Sequence, residues 1–309
     1  MLKRATALAL CAAVIFGLSA CRSAEKSVSE GEKIKVSVTF NALYEFAKAV
    51  GGDKVEISTI VPDGMETHDF EPKAKDLADM RGAQVFVYNG LGIDAWAEDA
   101  AAAAGNDALI VVKASKGTDA IVREGAEASA EAADGGMRGH GKYDPHTWLS
   151  LKCAATAAEN IKSALCEADP GNRAYYEDNC AAYQRQLDSL FTEYDEKFGG
   201  TAEKNFVTGH AAFAYLCRDF GLRQLSVRDV FADGEPSARQ LAGLVDFCRD
   251  NGVTTIFAEA LASPEVSETL ASEAGAVVET IYTIERGEDG MSYLARMEAS
   301  LSRIYASLR

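Results

Sequence analysis

Apolar and polar positions alternate with a period of two over KIKVSVTF, residues 33–40. They shift to a helical period over LYEFAKAVGG, 43–52, where two glycines end the run. The exchange then recurs. KVEISTIVP (54–62), QVFVYNG (84–90) and ALIVVK (108–113) read as strands, with PKAKDLADMRGA (72–83) and DAWAEDAAAAAG (94–105) as the helices between them. Strands and helices in this rhythm make βαβ units and a mostly parallel sheet. A second array occupies the other end of the chain. Its strands are expected at 205–209, 223–229, 253–260 and 276–284, its helices at 211–221, 237–252, 263–275 and 293–308. The arrays share a rhythm but no evident sequence repeat.

Between the arrays the pattern changes. Residues 115–142 hold little that is apolar and larger than alanine, too little to offset the entropy of ordering, and are expected to form a mobile loop. Asp144-Pro145 offers an N-cap and first-turn pair for a helix running to about Cys166. Asp169-Pro170 opens another, with Tyr176, Tyr183, Leu187, Leu190, Phe191 and Tyr194 near helical spacing and Gly199-Gly200 at its end. At about 1.5 Å per residue it spans some 40 Å, enough to run along two lobes. The expected fold class is α/β, two (βα) lobes with mostly parallel sheets joined by a single long helix. The lobes are expected at 33–168 and 201–309, the linking helix at 169–200.

The first residues set the compartment. Lys3 and Arg4, an apolar run from Ala5 to Leu18 and then Ser19-Ala20-Cys21 form a secretory leader over 1–20. The run is short for a membrane span of about 20 residues. Leu18-Ser19-Ala20-Cys21 also resembles a bacterial lipobox, which makes Cys21 the lipidated residue, 21–32 a tether to the bilayer and the protein an extracytoplasmic lipoprotein.

Against 31 Lys+Arg stand 47 Asp+Glu, a formal charge of −16. That excess argues against nucleic acid and phosphate ligands and mildly favours cations. Apart from Cys11 and Cys21, five cysteines remain: Cys153, Cys166, Cys180, Cys217 and Cys248. None shows C-x-x-C spacing. The antiparallel helix pair suggests Cys153 with Cys180 as a bridge and, more weakly, Cys217 with Cys248.

There are only four histidines. His68 follows the strand 54–62, His146 is expected in the first turn of its helix, and His210 lies between strand 205–209 and the next helix. Open parallel sheets bind ligands outside the carboxyl ends of their strands, so these three suit one crevice between two lobes. A helix N-terminus beside His146 and His210 would disfavour imidazolium and keep each ring a metal ligand. Three imidazoles leave zinc one ligand short of a tetrahedron, with Glu66, Glu259 and Glu285 as candidates for the fourth place. His140 reads as a solvated loop residue, and Glu124, Glu127, Glu131 and Asp134 as a solvated acidic loop.

GMETHDFEPKAKDL, DPHTWLS, VTGHAAFAYLCRDFGL and IFAEALASPEVSETLASEAGA together resemble the signature segments of metal-binding solute-binding lipoproteins that serve ABC importers of zinc and manganese. The resemblance covers essentially the whole mature chain. It implies lobes joined by one rigid helix with the metal between them, and places His68, His146 and His210 at the family's first three ligand positions. Manganese-type members carry a carboxylate at the third position and aspartate at the fourth. Here the third is His210, and Thr283-Ile284-Glu285 stands where their Thr-Asp-Ser would lie, which resembles a zinc-binding subgroup with glutamate as fourth ligand. A second zinc subgroup uses water there and has a long His-rich loop; this chain's loop has only His140.

The implied function is capture of Zn²⁺ outside the membrane and delivery to an ABC permease, by a monomer that is not an enzyme. The rivals are a manganese or iron carrier of the same fold, a metal-dependent surface adhesin, and a zinc hydrolase in which an open coordination position activates water.

Overall fold

The computed structural model describes residues 32–62, 65, 67, 70–123, 141–228, 237–259, 265–287 and 290–309. The leader and the tether up to residue 31 lie outside the described residues. The chain divides into two units, Met1–Glu32 and Lys33–Arg309, and both lobes belong to the second.

The first lobe is a parallel sheet of β1 (Ile34–Val38), β2 (Val55–Thr59), β3 (Val85–Tyr88) and β4 (Ile110–Lys113), in the order β2-β1-β3-β4. Its helices are α1 (Asn41–Gly51), α2 (Ala74–Gly82), α3 (Ala97–Ala103) and α4 (Leu151–Ala168). The second sheet repeats the order with β5 (Asn205–His210), β6 (Arg223–Arg228), β7 (Thr255–Glu259) and β8 (Val277–Ile281), arranged β6-β5-β7-β8 and again all parallel. Around it lie α6 (Ala214–Phe220), α7 (Ala238–Asp250), α8 (Glu265–Ala274) and α9 (Tyr293–Ser307). In each sheet the strand order reverses beside the first strand, which puts a ligand-binding crevice at the carboxyl ends of β1 and β3 and of β5 and β7.

Burial follows strand position. β3 is central and buried along its length as VFVY, so it needs no polar face. Edge strand β8 leaves Val277 60% exposed. The second core gathers Val207, Val227 and Ile256 of the sheet with Cys248 of α7 and Leu270 of α8.

The long helix α5 (Arg173–Gly199) follows a 3-10 turn at Pro170–Asn172. It packs on α1 and α4 in the first lobe and on α6 and α9 in the second. Its buried stripe of Tyr176, Cys180, Tyr183, Leu187, Tyr194 and Phe198 is spaced by three, four or seven residues, so one face serves both lobes.

Three expectations need correction. The helix expected from Asp144-Pro145 starts at Leu151, with Ser150 Oγ capping the Cys153 N–H at 3.0 Å; before it lies only a 3-10 turn at Thr147–Leu149. Asp144 is not available as a cap, because its carboxylate is taken by His146. The last strand ends at Ile281 rather than 284, since Ile284 has φ 59 and cannot continue an extended chain. Finally, Cys153, Cys166, Cys180, Cys217 and Cys248 are all free and buried, so neither suggested bridge forms. Burial pushes the Cys217 thiol up to about 12 and Cys180 up to about 11, which keeps these sulfurs protonated and inert.

Candidate metal centre

His210 ends β5, the strand at which the second sheet reverses, and so stands at the carboxyl edge where the crevice opens. His146 comes from the irregular segment ahead of the 3-10 turn. Asp144 Oδ1 accepts both the His146 backbone N–H and its ring Nδ1–H, each at 2.9 Å. With Nδ1 turned to a carboxylate, Nε2 is the nitrogen that would meet a metal, the usual arrangement of a carboxylate-oriented ligand. The rings of His146 and His210 meet edge to face, centroids 4.9 Å apart, and Trp148 packs behind His146 at 5.1 Å.

Glu285 lies in the loop after β8. Its position depends on the first lobe. Trp148 Nε1 donates to Thr283 O at 2.7 Å, and Asn41 N donates to Glu285 O at 3.2 Å. Between them Ile284 is fully buried in the left-handed region. That conformation costs an L-residue about 1–2 kcal/mol and persists only when its surroundings dictate it.

One ligand atom each from His146, His210 and Glu285 falls within 4.8 Å of the others. The three residues are 0%, 5% and 6% exposed. Tetrahedral zinc with bonds of about 2.0–2.1 Å sets neighbouring donors about 3.4 Å apart. Two imidazoles and a carboxylate suit zinc and disfavour magnesium or calcium. Among the described residues this is the one cluster of its kind.

Glu259 is not in the cluster. It ends β7, with Oε2 3.9 Å from Arg228 Nη2. Its carboxylate also lies against Gly209, where an added Cβ would come within 2.9 Å of Oε2. Only glycine fits beside His210 while Glu259 stays in place. His68, Glu66, His140, Glu124, Glu127, Glu131 and Asp134 lie outside the described residues. The helix-dipole argument for His146 and His210 also fails: the nearest helices start at Leu151 and Ala214, beyond the first turn in which the dipole acts. For His146, Asp144 does the orienting, a role signalled by an aspartate two residues ahead of a histidine.

A buried polar knot supports the His146 segment. Asp94 accepts from Thr39 Oγ1 (2.9 Å), Asn89 N (2.6 Å) and Gly90 N (2.7 Å). Asn89 in turn donates to Pro145 O at 2.9 Å and accepts from Thr147 Oγ1 at 3.0 Å, holding the residues on both sides of His146. Full burial raises the Asp94 carboxyl to about 6, against the opposing pull of those hydrogen bonds.

A family model described as ZnuA, zinc-uptake complex component A periplasmic, matches residues 36–307. A Treponema pallidum protein with the provisional name of a metal-binding protein is 42% identical over 98% of this chain and 96% of its own length. The high-affinity zinc uptake system protein ZnuA of Bacillus subtilis is 35% identical over 100% of this chain and 99% of its own. Among solved structures, the Zn(II)-bound form of an AdcAII variant from Streptococcus pneumoniae aligns with a TM-score of 0.80 and 31% identity, over 91% of this chain and all of that one. The laminin-binding protein Lmb of Streptococcus agalactiae, described as bifunctional with adhesin and metal transporting activity, aligns with a TM-score of 0.79 and 32% identity, over 89% of this chain and all of that one.

Proposed function

The chain belongs to the ZnuA family of zinc-uptake components, and on that premise we propose that His68, His146, His210 and Glu285 together hold its cargo, Zn²⁺. The family is one of solute-binding transport proteins, so the metal is carried rather than used in a reaction. The observation that carries the ligand set is the convergence of two buried imidazoles and one buried carboxylate, from both lobes, within 4.8 Å. A carboxylate removed from water beside neutral imidazoles is stabilised by a cation and weakens without one. Glu285 as fourth ligand supplies charge that neutral imidazoles lack and closes the position at which a hydrolase would activate water.

On this reading 33–168 and 201–309 are the two lobes, 169–200 links them, and the protein acts as a monomer that hands zinc to an ABC permease. Cys21 carries the lipid that keeps it at the outer face of the membrane. Relatives from Streptococcus pneumoniae bear the name zinc-binding lipoprotein AdcA, which supports the anchor. The adhesin reading rests only on likeness to laminin-binding proteins, and the curated relatives' names favour zinc uptake.

Elemental analysis of protein purified without chelator, with competitive zinc and manganese titrations, tests the proposal. One zinc per chain and preference for zinc are expected. Tighter manganese binding, or no stoichiometric metal, would replace the reading with the manganese or structural alternative. His146→Ala and His210→Ala are each expected to weaken zinc at least tenfold, about 1.4 kcal/mol.

A further inference from the structure

Arg296 is a cation in the interior. It lies on α9 and is 1% exposed. A guanidinium is costly to remove from water unless its donors meet well-placed acceptors. Its Nη1 donates to Asn41 Oδ1 at 2.7 Å and to Arg286 O at 3.1 Å. Asn41 is the first residue of α1, in the first lobe, and its own N–H donates to Glu285 O. One side chain of the second lobe therefore grips the first lobe and the Glu285 loop at adjacent points. Its helix is held in turn, since Tyr293 N at the start of α9 donates to Glu45 Oε2 of α1 at 3.1 Å.

We propose that Arg296 is a positioning residue for the metal ligand Glu285: by clamping the backbone on its C-terminal side to Asn41, it sets the second-lobe carboxylate in the frame of the first lobe before metal arrives. The inference rests on the reading of Glu285 as a zinc ligand. A ligand on an irregular loop holds metal well only when its supports fix it. Ile284 makes the demand sharper, because a buried β-branched residue at φ 59 would relax to an ordinary conformation if the loop were released. With the clamp in place, zinc meets a formed site; without it, the carboxylate must be ordered on binding, which weakens affinity and speeds release.

The test compares the full chain with Arg296→Met, Arg296→Lys, Glu285→Gln and the Arg296→Met/Glu285→Gln double variant. Zinc affinity by chelator competition and zinc release by stopped flow are measured, together with the visible spectrum of the Co²⁺-loaded protein. Arg296→Met is expected to release zinc at least tenfold faster and to alter the Co²⁺ bands, with partial recovery in Arg296→Lys. In the Glu285→Gln background the same change should add less than twofold. Should Arg296→Met fail to fold, Asn41→Ala severs the clamp from the other lobe and should give the same pattern. If Glu285→Gln is impaired but loss of the clamp leaves release and spectrum as in wild type, or speeds release equally in both backgrounds, Arg296 is merely structural and the proposal is overturned. If Glu285→Gln itself matches wild type, the ligand reading fails first, and the positioning role falls with it.

Discussion

At the scale of single residues, the proposed ligands are held by groups outside the ligand set. Asp144 holds Nδ1 of His146 and so leaves Nε2 as the nitrogen that would coordinate under the proposed ligand set. Asp144→Ala should lower zinc affinity by about 10–100-fold, the range typical of carboxylates that orient a metal-bound histidine. Asp144→Asn, whose amide oxygen can still accept, should lose less. Competitive titration of both variants checks this, and equal affinity in all three proteins would remove Asp144 from the site. Gly209 makes a comparable case. In Gly209→Ala the new methyl would meet the Glu259 carboxylate at 2.9–3.1 Å, so carboxylate or strand must shift beside His210. Weaker zinc binding with near-wild-type helix content is expected, by titration and circular dichroism.

At the scale of elements, irregular segments carry His146 and Glu285, while His210 ends a regular strand. The loop after β3 reaches the His146 segment through Asn89, and Asp94 anchors that loop. Because burial lifts the Asp94 carboxyl from its ordinary value near 4 to about 6, the folded protein binds a proton there between those pH values that the unfolded chain has already lost. Its contribution to stability is therefore fully present below about pH 4 and is lost as the pH rises through about 6. A shift of this size amounts to something on the order of 2–3 kcal/mol. Urea unfolding from pH 4 to 7 should show this falling component in wild type and lack it in Asp94→Asn. Parallel profiles for the two proteins would show that Asp94 does not titrate in that window.

At the scale of the whole molecule, the lobes are tied at several points besides α5. Tyr293 donates to Trp148 O at 2.7 Å, and Tyr215 donates to Asp144 O at 2.6 Å, both across the lobe boundary. A crevice held this way needs no disulfide. All five cysteines of the described residues should titrate with a thiol reagent after unfolding and react slowly in the native protein, and reductant should leave the melting temperature unchanged. A lower count on unfolding would restore the bridges. Cys21→Ser should release the protein from membranes with zinc affinity unaltered; full retention in the membrane fraction would point to an uncleaved leader instead.

Much of the architecture was open to reading from one dimension. Period-two runs such as KIKVSVTF and the glycine-closed helix after them appear where expected, because strand and helix periods are local consequences of which side chains face the core. The buried stripe of α5 and the two parallel sheets follow from the same patterning. The sequence also nominated His68, His146, His210 and Glu285, by resemblance to the family's motifs and, for all but His146, by a place after a strand. Other features were decided only in three dimensions. Asp144 has the composition of a helix cap, but the ring of His146 competes for its carboxylate and wins. The strand ending in Ile284 stops early because contacts from Trp148, Asn41 and Arg296 hold its continuation in a left-handed turn that no local preference of isoleucine would choose. Place in the chain alone left Glu259 open beside Glu285, since one ends and the other follows a strand of the same sheet; it was resemblance that favoured Glu285. Parallel neighbours point their carboxyl ends to the same edge, and the path of the chain beyond that edge brings Glu285 within 4.8 Å of His146 and His210. Local periodicity sets the elements; the partners of charged and irregular segments depend on residues far away in the chain, and folding alone brings those together.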